Sequence, residues 1–254
     1  MEDQVSAEEK SFKKLAGVPT HYARPPVAPY GTIGQQHTFR CTNEFFAVLE
    51  DAFAELWEIC PAGKPDIIVS AGAQVSKPGQ HGEGHAFDLD GLFWPTRSFV
   101  ALRFAEYPTF YLGIEAVLRR HFGTVLNHFY NADHRDHLHV DTGTLVGLRR
   151  VRTIALFVQL MTKHVLGVEI EVDGAWGRDT DAALQRLCDE FDQPQDLHEV
   201  EDWRGFLLTC AGRAFGLALP TDFLVAEEEE GAESMLRGVY AVIGNELAGS
   251  PSRK

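Results

Sequence analysis

No run of the 254-residue chain approaches the 18 or more apolar residues of a membrane-spanning helix, so insertion into a bilayer is not expected. The N-terminus, MEDQVSAEEKSFKK, is acidic and polar where a secretory signal carries a basic and then an apolar region. The expectation is a chain made in the cytoplasm with no cleaved leader. Basic residues are outnumbered, 23 Lys and Arg against 37 Asp and Glu, and the net charge of -14 argues against unaided binding to nucleic acid or anionic lipid. Cysteine is scarce. Cys41, Cys60, Cys188 and Cys210 form no C-x-x-C pair, which excludes a thiolate zinc site. Buried free thiols are expected, with a Cys41–Cys60 bridge as the alternative.

What is present is an ordinary globular composition, 44% hydrophobic and 24% charged. Residues 1–40 hold Pro19, Pro25, Pro26 and Pro29 with Gly31 and Gly34, a pattern that predicts an extended segment wrapping the surface. From Thr42 to Ile59 apolar residues recur at helical spacing behind the capping candidates Thr42 and Asn43. Asp66–Ser70 reads as a buried strand, 71–84 as a glycine-rich loop and His85–Asp90 as an alternating strand. Helices are expected near Ser98–Tyr107 and Phe110–His121, and a strand over Thr124–Tyr130. Beyond Gly143 the pattern is helical at Val151–Leu166, Asp179–Phe191, 199–216 and 232–247, with Glu227–Glu230 as a solvated loop. The predicted class is α+β: a small antiparallel sheet with flanking helices, then a mainly α-helical C-terminal domain, with a boundary near 145–150.

Seven of the eleven histidines lie between His81 and His139. In His134-Arg135-Asp136-His137-Leu138-His139-Val140-Asp141 the alternation puts His137, His139 and Asp141 on one face and Leu138 with Val140 on the other. Two neighbouring imidazoles are poor core residues, because each needs a hydrogen-bond partner and each can charge near neutral pH; a metal ion satisfies both demands. Upstream, Gly82 and Gly84 let the backbone turn sharply enough for His81 and Asp88 to converge, and His139 can complete the set. Two imidazoles and a carboxylate suit zinc with one position left for water. The rival pair, His81 with His85 on one helix, is opposed by the intervening Gly-Glu-Gly. His85, His121 and His128 read as surface or hydrogen-bonded residues.

HGEGHAFD resembles the H-x-x-G-x-A-x-D pattern of the zinc peptidases that include D-Ala-D-Ala carboxypeptidases and penicillin-insensitive murein endopeptidases, and HRDHLHVD resembles the H-x-x-H-x-H form of their second motif. Through HAFDLDG and FGTVLNHFYNADHRDHLHVD the likeness is closest to the extensin-like C-terminal domain family, over roughly residues 40–143. The resemblance implies a zinc peptidase domain over 41–147, with His81, Asp88 and His139 holding one zinc ion and His137 as general base. It implies for His134 a supporting or substrate-orienting part in catalysis. Spacing agrees, since His137 lies two residues from His139 on the same face. Asp136 and Asp141 are candidates for orienting a histidine ring. The chain lacks the E-x-x-H base of the carboxypeptidase branch, which favours an endopeptidase, and has Gln80 where a serine is usual.

The helical region 148–254 contains, over about 150–192, a stretch with Phe157-Val158-Gln159-Leu160 and Val172-Asp173-Gly174-Ala175-Trp176-Gly177-Arg178-Asp179-Thr180 that resembles the peptidoglycan-binding three-helix repeat. The bland alternative is a helix-turn-helix packed on the catalytic part. Together these resemblances imply hydrolysis of peptide cross-links in peptidoglycan, in the periplasm or cell wall; with no leader expected, delivery by a phage lysis system or a secretion apparatus would fit. A toxin of that kind would come with an immunity protein. The alternative function is a non-catalytic wall-binding module in which zinc staples the fold.

Overall fold

A computed structural model describes residues 8–217, which form one compact unit. The elements in chain order are β1 (Glu9–Phe12), β2 (Lys14–Leu15), β3 (Val18–Tyr22), β4 (Gln35–Gln36), β5 (Phe39–Thr42), α1 (Asn43–Ile59), β6 (Ile67–Gly72), α2 (Gln80–Glu83) and β7 (Ala86–Phe93). They continue with β8 (Ser98–Val100), a 3-10 helix (Ala101–Glu106), α3 (Pro108–His121), β9 (Thr124–Leu126), a 3-10 turn (Ala132–His134), β10 (Leu138–Asp141), α4 (Arg152–His164), α5 (Arg178–Glu190) and α6 (Val200–Phe215). The class is mixed α+β. The expected helix over 232–247 and the acidic run at 227–230 lie outside the described residues.

The sheet is larger than the sequence suggests and is not purely antiparallel. Its strands run in the order β2-β3-β6-β7-β10-β9, with β4 on β3 and β8 on β7, and β3 pairs with β6 in parallel. The N-terminal segment is therefore extended but is no surface tail. Val18 and Thr20 are fully buried, and the prolines fall outside the β3 positions that pair with β6, Thr20 with Ile68 and His21 with Val69. The helix expected at 98–107 is instead β8 followed by the 3-10 helix. Ser98, Phe99 and Val100 pair with Phe93, Leu92 and Gly91 across a tight connection, burying Phe99 and Val100 while Leu102 stays 46% exposed. β9 stops at Leu126, because Asn127 turns its amide onto Glu115 (3.0 Å) and the chain bends, Tyr130 N–H donating to the Asn127 carbonyl.

Thr42 caps α1 through its hydroxyl, which accepts from Phe45 N–H at 3.2 Å. Phe53 of α1 meets Phe87 of β7 edge to face at 5.8 Å, and Phe45 meets Phe122 at 5.8 Å. Phe87 and Leu89 thus point into core, which by the period of two turns Asp88 and Asp90 to the other face of β7. Leu138 and Val140 do the same for His139 and Asp141 on β10.

α6 packs on α3, and a fully buried ion pair ties α3 to its surroundings. Arg119 donates to Glu115 at 2.7 Å and also to the carbonyls of Val125 and Thr153, linking α3 to β9 and the start of α4. Burial raises the Glu115 carboxyl pKa, against the opposing pull of Arg119 and Asn127. All four cysteines are buried free thiols. Among the described residues, no helix is long and apolar enough to cross a membrane.

Candidate metal centre

Three local features bring His81, Asp88 and His139 together. β10 and β7 are antiparallel in a register that sets His139 directly opposite Asp88, so both side chains leave the same face of the sheet. His81 arrives on α2, a single turn inside the stretch that the sequence predicts as loop. Gly84 ends this turn in the left-handed conformation at φ 76°, and a Cβ there would lie 3.1 Å from the Thr42 backbone nitrogen. Gly82 is more restricted still, since a Cβ would fall 1.8 Å from the Lys77 carbonyl. The turn ends before His85, whose side chain is exposed near Glu83, so the two histidines do not share a helix.

His81 Nε2 lies 3.1 Å from Asp88 Oδ1 and 3.2 Å from His139 Nδ1, and His139 Nδ1 lies 2.9 Å from Asp88 Oδ1. The far side of each ring fixes its tautomer. His81 Nδ1–H donates to the Ala73 carbonyl at 2.5 Å, which can only accept, and His139 Nε2–H donates to Asp141 at 3.0 Å. In the neutral rings the remaining nitrogens are lone pairs, and Asp88 supplies a third acceptor. Three acceptors about 3 Å apart repel unless a cation lies between them. A proton answers that need in part. Burial alone would lower His139, but its hydrogen bonds to Asp141 and Asp88 raise it to about 9, while His139 and His81 hold Asp88 well below the carboxylate range despite burial. The buried trio can hold a metal ion.

His137 stands beside the trio and precedes the first residue of β10. Its Nδ1–H donates to Asp136 Oδ1 at 2.8 Å, and its Nε2 lies 3.5 Å from Asp88 Oδ1. His134 closes the 3-10 turn, with Nδ1 2.7 Å from Asn131 Oδ1 and its ring centroid 5.1 Å from His137 and 5.6 Å from His139. Burial and then the neighbouring His137 and His139 charges lower His134 to about 4, so it is neutral at physiological pH. On the same turn, a cleft of about 240 Å³ is lined by His128, Phe129, Tyr130, Asn131, Arg135 and Arg152. His121 pairs with Glu55, and His128 Nδ1 donates to the Arg135 carbonyl, both away from the trio.

Residues with no sequence motif complete the surroundings. Arg24, just after β3, donates through Nε and Nη2 to the two oxygens of Asp90 at 2.9 and 2.8 Å, and through Nη1 to Asp136. Tyr30 lies under the guanidinium, 4.8 Å from ring centroid to Cζ, and its hydroxyl donates to the Asp136 carbonyl. Burial raises Asp90, only 2% exposed, to about 7 even against the Arg24 fork. The sole sequence signal was Asp90 itself. A second carboxylate on the buried face of β7 requires a cationic partner, but nothing in HAFDLDG says which one.

The resemblance to the peptidoglycan-binding repeat falls on a turn between α4 and α5 whose polar groups satisfy one another. Gln159 Nε2 donates to Asp173 Oδ1 (2.8 Å) and Thr180 Oγ1 (3.0 Å), and Gln159 Oε1 accepts from Gly174 N–H (2.9 Å). Trp176 Nε1 donates to Asp181 at 2.8 Å. Comparison of the chain with protein-family models, with curated proteins and with solved structures returns no match in any of the three.

Proposed function

We propose that this protein is a zinc-dependent peptidoglycan peptidase, an endopeptidase that hydrolyses peptide cross-links of the bacterial cell wall. The observation that carries the reading is the convergence of His81 Nε2, Asp88 Oδ1 and His139 Nδ1 beside a third, separately oriented ring, His137. Donors about 2.0–2.1 Å from a tetrahedral zinc ion stand about 3.3–3.4 Å apart, and the trio is spaced at 2.9–3.2 Å. Zinc held there would supply a Lewis acid that acidifies water and polarises the scissile carbonyl.

The chain's own groups divide the remaining work. Asp136 fixes His137 with the proton on Nδ1, which leaves Nε2 as the base that takes a proton from the attacking water and returns it to the leaving amine. His134, neutral and at the rim, hydrogen-bonds substrate through Nε2. Asp141 and the Ala73 carbonyl keep the ligand rings in their binding tautomers. The resemblance of HGEGHAFD and HRDHLHVD to the murein zinc peptidases gives the substrate class, and the helical domain with its repeat at about 150–192 is the wall-targeting part. A wall substrate puts the site of action in the periplasm or cell wall.

Mass spectrometry of muropeptides from sacculi incubated with the protein, with and without a chelator, tests this reading. Zinc-dependent cleavage products are expected, and their absence on every wall chemotype tried would leave the non-catalytic, zinc-stapled module. His137→Ala should lower kcat by ~10²–10⁴-fold with zinc content retained. Loss of zinc in that variant would show that ligand and base have been exchanged.

A further inference from the structure

We infer that Arg24, in the N-terminal segment, is a positioning residue for His137: it fixes Asp136, and through Asp136 the ring, relative to Asp88. This rests on the proposed role of His137 as base, although the contacts themselves do not depend on it. His137 lies one residue before β10 and has no ladder pairing of its own. Asp136, which orients it, sits in an irregular connection with its side chain 32% exposed. A carboxylate so placed is free to turn to solvent unless something holds it.

Arg24 supplies that restraint through a chain of hydrogen bonds anchored on β7. Asp88 and Asp90 are both on β7. From Asp90 the path runs to the Arg24 fork, from its third donor to Asp136 Oδ2, and across that carboxylate to Oδ1 and His137 Nδ1–H, which leaves the ring's Nε2 3.5 Å from Asp88 Oδ1. Each oxygen of Asp136 thus has one partner, and the chain starts from Asp90 on the strand that also carries Asp88. Tyr30 brackets the same unit, its ring under Arg24 and its hydroxyl on the Asp136 carbonyl. Neutralising buried Asp90 would require only the two-pronged contact. The third donor, directed at Asp136, has no part in that task and reaches the orienter of His137.

Lysine separates the two roles. Its single ammonium can pair with Asp90 but cannot present a fork to Asp90 and a further donor to Asp136 in fixed geometry. In zinc-loaded Arg24→Lys we expect unchanged zinc content, KM within about twofold and kcat lowered ~10–100-fold, the range over which supporting hydrogen bonds act. The decisive readout needs no turnover. In ¹⁵N-detected histidine spectra His137 should change from one Nδ1–H tautomer to a mixture, while His81 and His139 keep their signals. If Arg24→Lys does not fold, Tyr30→Phe is read the same way, with a smaller shift expected. An unchanged His137 tautomer in the variant that folds overturns the inference, even if sacculi are cleaved. An altered tautomer upholds it even if no wall substrate is found and the peptidase reading fails.

Discussion

The polar cluster on β7 and β10 and the polar turn between α4 and α5 both follow from recognisable sequence patterns, yet their donors and acceptors balance differently. At the turn, Gln159 of α4, Asp173, Gly174 and Trp176 of the connection, and Thr180 and Asp181 of α5 find partners among themselves. In the cluster, two ring nitrogens and a carboxylate oxygen face one another, and with both rings neutral all three are acceptors, because each ring's proton is engaged on its far side. A satisfied set holds a fold without a bound ion. A set with surplus acceptors calls for a cation. A motif becomes a site when its polar groups are complementary to something other than themselves.

The contrast can be broken most severely at the cluster. His139→Ala removes one acceptor of three, and bound zinc measured by mass spectrometry after dialysis should fall from about one per chain to near zero. Retained zinc would mean that the trio is not the site. Asp141→Asn leaves the ligands in place and weakens the partner that fixes His139; zinc affinity from chelator competition should drop ~10–100-fold. The turn should respond in stability alone. Gln159→Leu leaves the Gly174 N–H without its acceptor and should cost about 1–3 kcal/mol in denaturant unfolding, with zinc affinity unchanged. A loss of zinc from that variant would erase the distinction between the two regions.

The smallest effect lies outside both and is set by pH. The hydrogen bond from His121 and the charge of Arg120 overcome burial and lower Glu55 from an ordinary 4.5 to about 2. A lowered carboxylate pKa contributes stability that is present above the unfolded value and lost as pH falls through the folded one. Glu55→Gln should therefore be less stable than the parent by about 1–2 kcal/mol above pH 5, with the gap closing as pH falls toward 2. A gap that persists at low pH would assign the effect to packing.

The helices α1, α4, α5 and α6 were legible because apolar residues recur at helical spacing, and β6 and β7 because their runs are short, β-branched or alternating. The metal trio was legible because glycine marked where His81 could turn back and alternation marked which side of each strand Asp88 and His139 would share. The N-terminal strands were not. Proline and glycine there do mark breaks, but β3 is a strand by virtue of its pairing with β6, and no local pattern encodes a distant partner. Arg24 was hidden for the same reason, since its partners lie 66 and 112 residues away. Asp88 is 7 residues from His81 and 51 from His139.

The parallel pairing of β3 with β6 also bears on the order in which the centre matures. Bringing Thr20 to Ile68 closes a loop that contains all of β4, β5 and α1, and the chain entropy lost in doing so must be met before Arg24 comes within reach of Asp90. His81 and Asp88 are close in sequence, but His139 lies 51 residues beyond Asp88, so closing the trio carries a loop cost of similar size. During synthesis, β3 emerges first and waits for β6. β6 is in turn made before β10, so a nascent chain can seat its N-terminal strand, and Arg24 with it, before His139 arrives to close the trio.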